Sequence, residues 1–500
     1  MTHLSRRGFL AASAAMAATT LVPARLRAAS DAFQLQATTR VIEVNGRAAT
    51  VMGLVNAQGG QGLVLEPGQR FRTDLTNALD VETIIHWHGQ IPPNDQDGVP
   101  NTNPMLKPGE TRPYDFALRP GTFWMHSHIP DQEIGLLAAP LIVRSAEDIR
   151  ADRQEVVMFL HDFAFRSPQE VLAEVSGGTM DHASMDHGAM NHGSMDQGAS
   201  PMPAGPAGGM GHDMGNMRQM MGGGMSGMAM DLNDFNFDAY LANDRTLDDP
   251  DVIAVERGGK VLLRAINAAS MTAFWIDTGG IAARLVAVDG EPVQPMPGTR
   301  FPLAPAQRID LEIDLPGDGA ALPILALREG ARERSGIILA PKGAEVPRLS
   351  GLSDSDNPPV SGDMTMELAL RAAAPLSQRP VENSQIVMLG GSMQPYQWTI
   401  NGRSWGDHVP VGVRTGQRVE LSFHNMSMMA HPMHLHGHVF QVVEVNGTRF
   451  PGAMRDTIHV PSMGMVTIAF DAGQVAPWML HCHQMGHLAA GMMTELAISA

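Results

Sequence analysis

Ten of the twenty histidines fall in four tight clusters: His86-Trp87-His88-Gly89, His126-Ser127-His128, His431-Pro432-Met433-His434-Leu435-His436-Gly437, and His481-Cys482-His483 followed by His487 and Met492. Imidazole and thiolate are metal ligands, and the only cysteine of the chain stands inside the last cluster. One His-x-His pair would pass for satisfied core histidines; four at the ends of strand-like runs do not. A single cysteine forms no intramolecular disulfide, and its histidine neighbours make Cys482 a ligand rather than a small core residue. Successive side chains on a strand leave opposite faces, so Cys482 points one way while His481 and His483 point the other. Metals bound on the two faces are then joined by a few covalent bonds, a short path for an electron.

His431, Cys482, His487 and Met492 assemble into one site. Two imidazoles, a thiolate and a weak axial thioether describe a blue-copper electron-transfer centre. The other eight histidines exceed what one ion can take. They fit three copper ions, with two ligands on one and three on each of the others.

The elements that must position these ligands are short strands. Val41–Gly46, Leu63–Leu65, Lys260–Leu263 and Arg418–Phe423 are rich in aliphatic and β-branched residues and bounded by Gly, Pro or Asn. Gly 52, Pro 35 and only 17% charged residues favour many strands and turns over long helices. A repeat runs through them: Gly68-Gln69 leads to Asn77, Gly259-Lys260 to Asn267, and Gly416-Gln417 to Asn425. The expected fold is all-β, three related Greek-key β-sandwich domains over 30–150, 151–345 and 346–500. The outer two carry the histidines, and the middle one is expected to space them.

Residues 1–29 read as a twin-arginine export signal, with Ser5-Arg6-Arg7-Gly8-Phe9-Leu10 ahead of an Ala-rich run. Export engages the Tat translocase, delivers the chain to the periplasm, and takes the formal charge from −17 to −21. That charge argues against a nucleic-acid partner, and no later run is apolar enough to span a membrane. Residues 176–230 hold 13 of the 36 methionines, with Met180, Met185 and Met190 each followed two places later by His182, His187 and His192. A five-residue period with this much glycine suits neither helix nor strand, so a disordered, mobile loop is expected. Soft thioether and imidazole together suit Cu(I).

With these motifs the chain resembles the multicopper oxidases over essentially its whole mature length, and within them the CueO-like and CopA-like copper-tolerance (cuprous) oxidases. The resemblance implies three cupredoxin domains with a trinuclear copper cluster between the first and third. It implies four copper ions: one type 1 ion on His431, Cys482, His487 and Met492, and one type 2 ion on His86 and His434. Two type 3 ions follow, on His88, His126 and His483 and on His128, His436 and His481. Asp97 matches a carboxylate that assists proton supply, and Met429 matches a methionine near the substrate Cu(I). Three positions depart from the pattern: Leu488 replaces an acid implicated in proton delivery, Ser427 replaces an acid near the substrate, and the Met/His insert lies earlier in the chain.

The expected reaction is four one-electron oxidations, of Cu(I) to Cu(II), coupled to reduction of O2 to water. Cys482 carries the electrons, Asp97 relays protons, and the insert gathers Cu(I). Phenols as substrates, in a laccase, are the same-class alternative. A periplasmic copper storage or delivery protein is the alternative from another class.

Overall fold

The computed structural model describes residues 32–177, 232–360 and 362–500. The signal reading of residues 1–29, and the Cu(I)-gathering reading of Met180, His182, Met185, His187, Met190 and His192, lie outside the described residues.

Three two-layered β-sandwiches follow one another along the chain. In the first, one sheet runs Arg47–Asn56, Phe33–Val44, Arg70–Asn77, Thr111–Ala117, and the other Leu63–Leu65, Ala138–Val143, Gly121–Ser127, Ile85–His86. The second packs a six-stranded on a five-stranded sheet, and the third a seven-stranded on a five-stranded one. In each the opening strand pairs in parallel with the strand that ends the repeat: Phe33–Val44 with Arg70–Asn77, Gln154–Phe163 with Lys260–Asn267, and Asn383–Met393 with Arg418–Asn425. A third strand then closes antiparallel on the repeat strand. This mixed pairing is the all-β, three-sandwich architecture expected from the sequence.

The repeated asparagine has a physical reason. Asn77 donates through Nδ2 to the carbonyls of Val81 and Leu106 at 2.8 and 2.9 Å, and its Oδ1 accepts from Leu79 N at 3.0 Å. Asn267 does the same with Thr272, Leu303 and Ala269, and Asn425 with Met429, Pro461 and Ser427. All three are buried. Each amide satisfies backbone groups of two loops where the strand leaves the sheet, groups that would cost about 1–3 kcal/mol apiece if left unpaired.

The strand alternation buries one face of each sheet. Phe71, Leu75 and Phe116 fill the first core, Leu263, Ile309 and Leu311 the second, and Leu421, Phe423 and Ile468 the third. Among its described residues, the segment between Pro341, where the last strand of the second sandwich ends, and Asn383 holds one short helix, Thr365–Ala369.

Candidate metal centre

Two short strand pairings place the ligands. In the first domain His86 lies opposite His126; in the third, His434 lies opposite His481 and Met433 opposite Cys482. The domains meet so that the rings of His88 and His434 stack at 3.8 Å between centroids and those of His86 and His436 lie at 3.9 Å. Tight turns let the chain leave the site. Gly89 has φ +85°, and a Cβ there would come within 2.6 Å of Asp456 Oδ2 and Arg308 Nη2. Gly437, at φ +66°, would drive a Cβ into the ring of Trp478. Only glycine fits after His88 and His436.

Around the eight-histidine centre six of the outer ring nitrogens are hydrogen-bonded, and the inner ones converge. His86 Nδ1 and His434 Nδ1 donate to the carbonyls of Asp97 and Asp456, each at 2.8 Å. His436 Nδ1 donates to Asp97 Oδ2 at 2.8 Å and His481 Nδ1 to the Cys482 carbonyl at 3.0 Å. His126 Nδ1 meets the Ser127 carbonyl at 2.9 Å and Glu133 Oε2 at 2.7 Å. His88 is turned the other way, its Nε2 lying 3.2 Å from Asp456 Oδ1 and 3.1 Å from Thr457 Oγ1.

These bonds set the tautomers, and each leaves a lone pair facing inward. His436 Nε2 and His481 Nε2 lie 3.0 Å apart, His128 Nε2 and His481 Nε2 3.3 Å, and His126 Nε2 and His483 Nε2 3.4 Å. His436 and His481 spend their ring hydrogens on Asp97 and Cys482, so the two nitrogens that face each other are both acceptors and need a cation between them. His86 Nε2, His88 Nδ1 and His434 Nε2 are buried and bond to nothing in the protein. Burial, helped by the neighbouring imidazoles, holds His88, His126, His128, His434, His436 and His483 well below the ordinary histidine range. Burial likewise takes His481 to about 3. Neutral imidazoles with bare nitrogens turned inward could hold metal ions.

The second group is smaller. His431 Nδ1 and His487 Nδ1 stand 3.1 Å apart, with Cys482 Sγ at 3.7 and 3.6 Å from them. Their outer nitrogens meet Ser427 Oγ at 2.8 Å and Asp234 Oδ2 at 3.2 Å. Trp398 lies against the His487 ring at 4.0 Å. Burial pushes the Cys482 thiol up, so it becomes a thiolate only against a bound cation. Met492 is buried, and its carbonyl accepts from Cys482 N at 3.1 Å. Imidazole and thiolate donors with a thioether close in the chain fit copper at this group, and imidazoles alone fit it at the other.

Asp97 sits at the seam, its carboxylate on His436 and its backbone on His86. Met429 is buried; its carbonyl accepts from Asn425, and the residue lines a pocket of about 10 Å³ with Met271, Leu232 and Gln484. The expectation that the middle domain only spaces the others is corrected. Its Asp234 lies 3.2 Å from His487 Nε2 and accepts from Gln484 Nε2 and the Tyr396 hydroxyl. Its Arg308 clamps Asp456, donating from Nη1 to Oδ1 at 2.8 Å. Burial would raise the Asp234 carboxyl, but His487, Gln484 and Tyr396 hold it below its ordinary range.

Glu133 is a further acid that the sequence did not single out. It is buried between His126 and His483, the latter's Nδ1 at 3.6 Å from Oε1. Burial, with Asp162 nearby, pushes its carboxyl well above the usual range. Its place five residues after His128 was the one available signal; Asp234, Arg308 and Asp456 carried none.

The chain is similar to known proteins along most of its length. Three multicopper oxidase family profiles match residues 36–148, 214–326 and 378–500. The multicopper oxidase MmcO of Mycobacterium tuberculosis is 30% identical, over 91% of this chain and 84% of that protein. Copper resistance protein A of Escherichia coli is 24% identical, over 93% and 92%. A crystal structure of a multi-copper oxidase from Pseudomonas thermotolerans superposes with a TM-score of 0.65 at 22% identity, covering 93% of this chain and 98% of that one.

Proposed function

The chain belongs to the multicopper oxidases, copper-containing oxidoreductases of cupredoxin-like fold that use O2, and on that premise we propose that its reductant is Cu(I). Four ions are held as the motifs imply: one by His431, Cys482 and His487 with Met492, one by His86 and His434, one by His88, His126 and His483, and one by His128, His436 and His481. The bound copper supplies one-electron uptake from the substrate and four-electron reduction of O2 to water. The protein supplies the rest. Cys482 and its two neighbours link the groups covalently, and Asp97 serves as the proton relay between His86 and His436. Trp398 and Asp234 hold the His487 ring in place.

One observation carries the choice of Cu(I). The Met/His-rich residues 178–231 leave and rejoin the described chain beside His487. Val175 and Asp234 both flank Gly486, where a Cβ would lie 3.2 Å from Val175 Cγ1 and 3.4 Å from Asp234 Oδ2. A run of thioethers and imidazoles tethered on both sides of this ligand raises the local concentration of a soft ion where its electron is taken. The small pocket lined by Met271, Met429 and Gln484 has room for a water-sized ligand. The similarity to copper resistance protein A points the same way. The reading includes export by the twin-arginine route to the periplasm, where oxidation to Cu(II) limits copper toxicity. No helix among the described residues is long and apolar enough to cross a membrane.

Oxygen uptake by the purified, copper-loaded protein tests this. Rapid uptake with Cu(I), and phenol oxidation that needs added copper, are expected. Fast copper-independent oxidation of 2,6-dimethoxyphenol would make the protein a laccase. No uptake with either donor would return it to copper storage or delivery.

A further inference from the structure

Among the described residues, every exposed methionine lies in one place. Met388, Met426, Met428, Met463 and Met465 are 37–59% exposed, while the other described methionines are buried or half-buried. All five belong to the third domain. Met388, His424 and Met465 form a single row across three neighbouring strands, His424 pairing with Met388 on one side and with Met465 on the other. Residues directly opposite in a sheet project from the same face with Cβ atoms about 4.5–5.5 Å apart. His424 Nε2 meets Ser422 Oγ at 3.1 Å, which leaves Nδ1 as its other donor atom.

The other three methionines stand on two loops just beyond this row, and the loops are locked together. Met463 N donates to the Ser427 carbonyl at 3.2 Å, Asn425 N to Gly464 O at 2.9 Å, and Met426 N to Leu389 O at 2.9 Å. Hydrophobic burial cannot account for thioethers left in water. Sulfur and imidazole donors on a rigid surface are what a soft monovalent ion binds. Thioethers carry no proton, so those donors stay available across the pH range.

We propose that Met388, His424, Met426, Met428, Met463 and Met465 form a docking site for Cu(I) on the third domain. Its use in turnover rests on the cuprous-oxidase reading; its existence as a metal site does not. Ser427 connects it to the centre. That residue lies between Met426 and Met428, its carbonyl accepts from Met463 N, and its hydroxyl is 2.8 Å from His431 Nε2. This approach to His431 is separate from the one at His487, where residues 178–231 are attached. Each Cu(I) docked here gives one electron to the protein and departs as Cu(II). Four such losses, with four protons, balance one O2 reduced to two waters.

The test uses full-length, copper-loaded protein carrying ¹³C at the methionine methyls, titrated with Ag(I), a redox-inert soft monovalent ion. The methyl signals of the patch, assigned through single Met→Leu variants, shift with the first equivalents. A Met426→Leu/Met428→Leu/Met463→Leu variant loses at least one bound Ag(I), keeps its blue absorption, and shows a KM for Cu(I) raised about tenfold, a loss of about 1.4 kcal/mol of binding. Patch signals that stay put, or an unchanged Ag(I) stoichiometry in the triple variant, overturn the site. If Ag(I) binds the patch but the wild type does not oxidise Cu(I), only the cuprous-oxidase reading fails. If the wild type oxidises Cu(I) and the patch is silent, only the docking site fails.

Discussion

Asp456 of the third domain lies 3.2 Å from the Nε2 of His88 in the first, and is held there by Arg308 of the second. Thr122 and Ala306 accept further hydrogen bonds from the same guanidinium, at 3.2 and 3.0 Å. Three domains thus meet on one fully buried ion pair, and the orientation of a ligand depends on their docking. Such a pair contributes little net stability, since desolvating both charges offsets their attraction, but breaking it strands a charge in the interior.

Replacing Arg308 by Met leaves Asp456 buried and unpaired. A loss of about 3–5 kcal/mol is expected in chemical denaturation. Adding Asp456→Asn to that variant removes the stranded charge and restores part of the loss; a double variant as unstable as the single one would contradict this account.

Glu133 orients His126 from behind, its Oε2 lying 2.7 Å from Nδ1. Glu133→Ala should weaken copper retention or activity about 10–100-fold, as loss of an outer hydrogen-bond partner of a metal ligand does. Metal content after dialysis against a chelator reads it out. Glu133→Gln keeps an acceptor for the His126 hydrogen and should recover much of the retention. Equal loss in both variants would show that charge, and not orientation, is what the histidines need.

His161 is buried, with Phe159 edge-on to its ring, and burial lowers it from 6.5 to about 4. The unfolded chain takes up a proton there between those values and the folded chain does not. Stability is therefore full above pH 6.5 and falls as the pH drops toward 4, by on the order of 3 kcal/mol. His161→Gln should flatten that limb in unfolding curves collected from pH 7 to pH 4. An unaltered slope would place the acid sensitivity elsewhere.

Deleting residues 178–231 should raise the KM for Cu(I) while the blue absorption of the Cys482 group persists, because all the described ligands lie outside the deletion. Steady-state oxygen uptake at graded Cu(I) measures it. A KM that does not move removes the gathering role from this segment.

The repeat at Asn77, Asn267 and Asn425 could be read directly because its cause is local. Each asparagine satisfies loops next to its own strand, so the same residue recurs wherever that turn recurs. The histidine clusters were legible for a similar reason: a strand's two-residue alternation alone tells which of His481, Cys482 and His483 share a face. Apart from Asp97, the acids around them were not legible. Asp456 lies 368 positions from His88, and Asp234 lies 250 positions from Gln484. A carboxylate that finds its partner only when domains dock leaves no spacing to read.

By itself, then, the sequence determined the ligand types, their grouping on strand faces and the three-sandwich architecture, because these follow from backbone periodicity and donor chemistry over a few residues. Only the tertiary structure decided which imidazole nitrogen faces inward, which acid holds the other, and that the middle domain takes part through Arg308 and Asp234. It also decided that residues 178–231 are attached beside His487, and that the exposed methionines gather around Ser427. Tautomers, ion pairs and surface clusters depend on distances between groups far apart in the chain, and packing alone sets those.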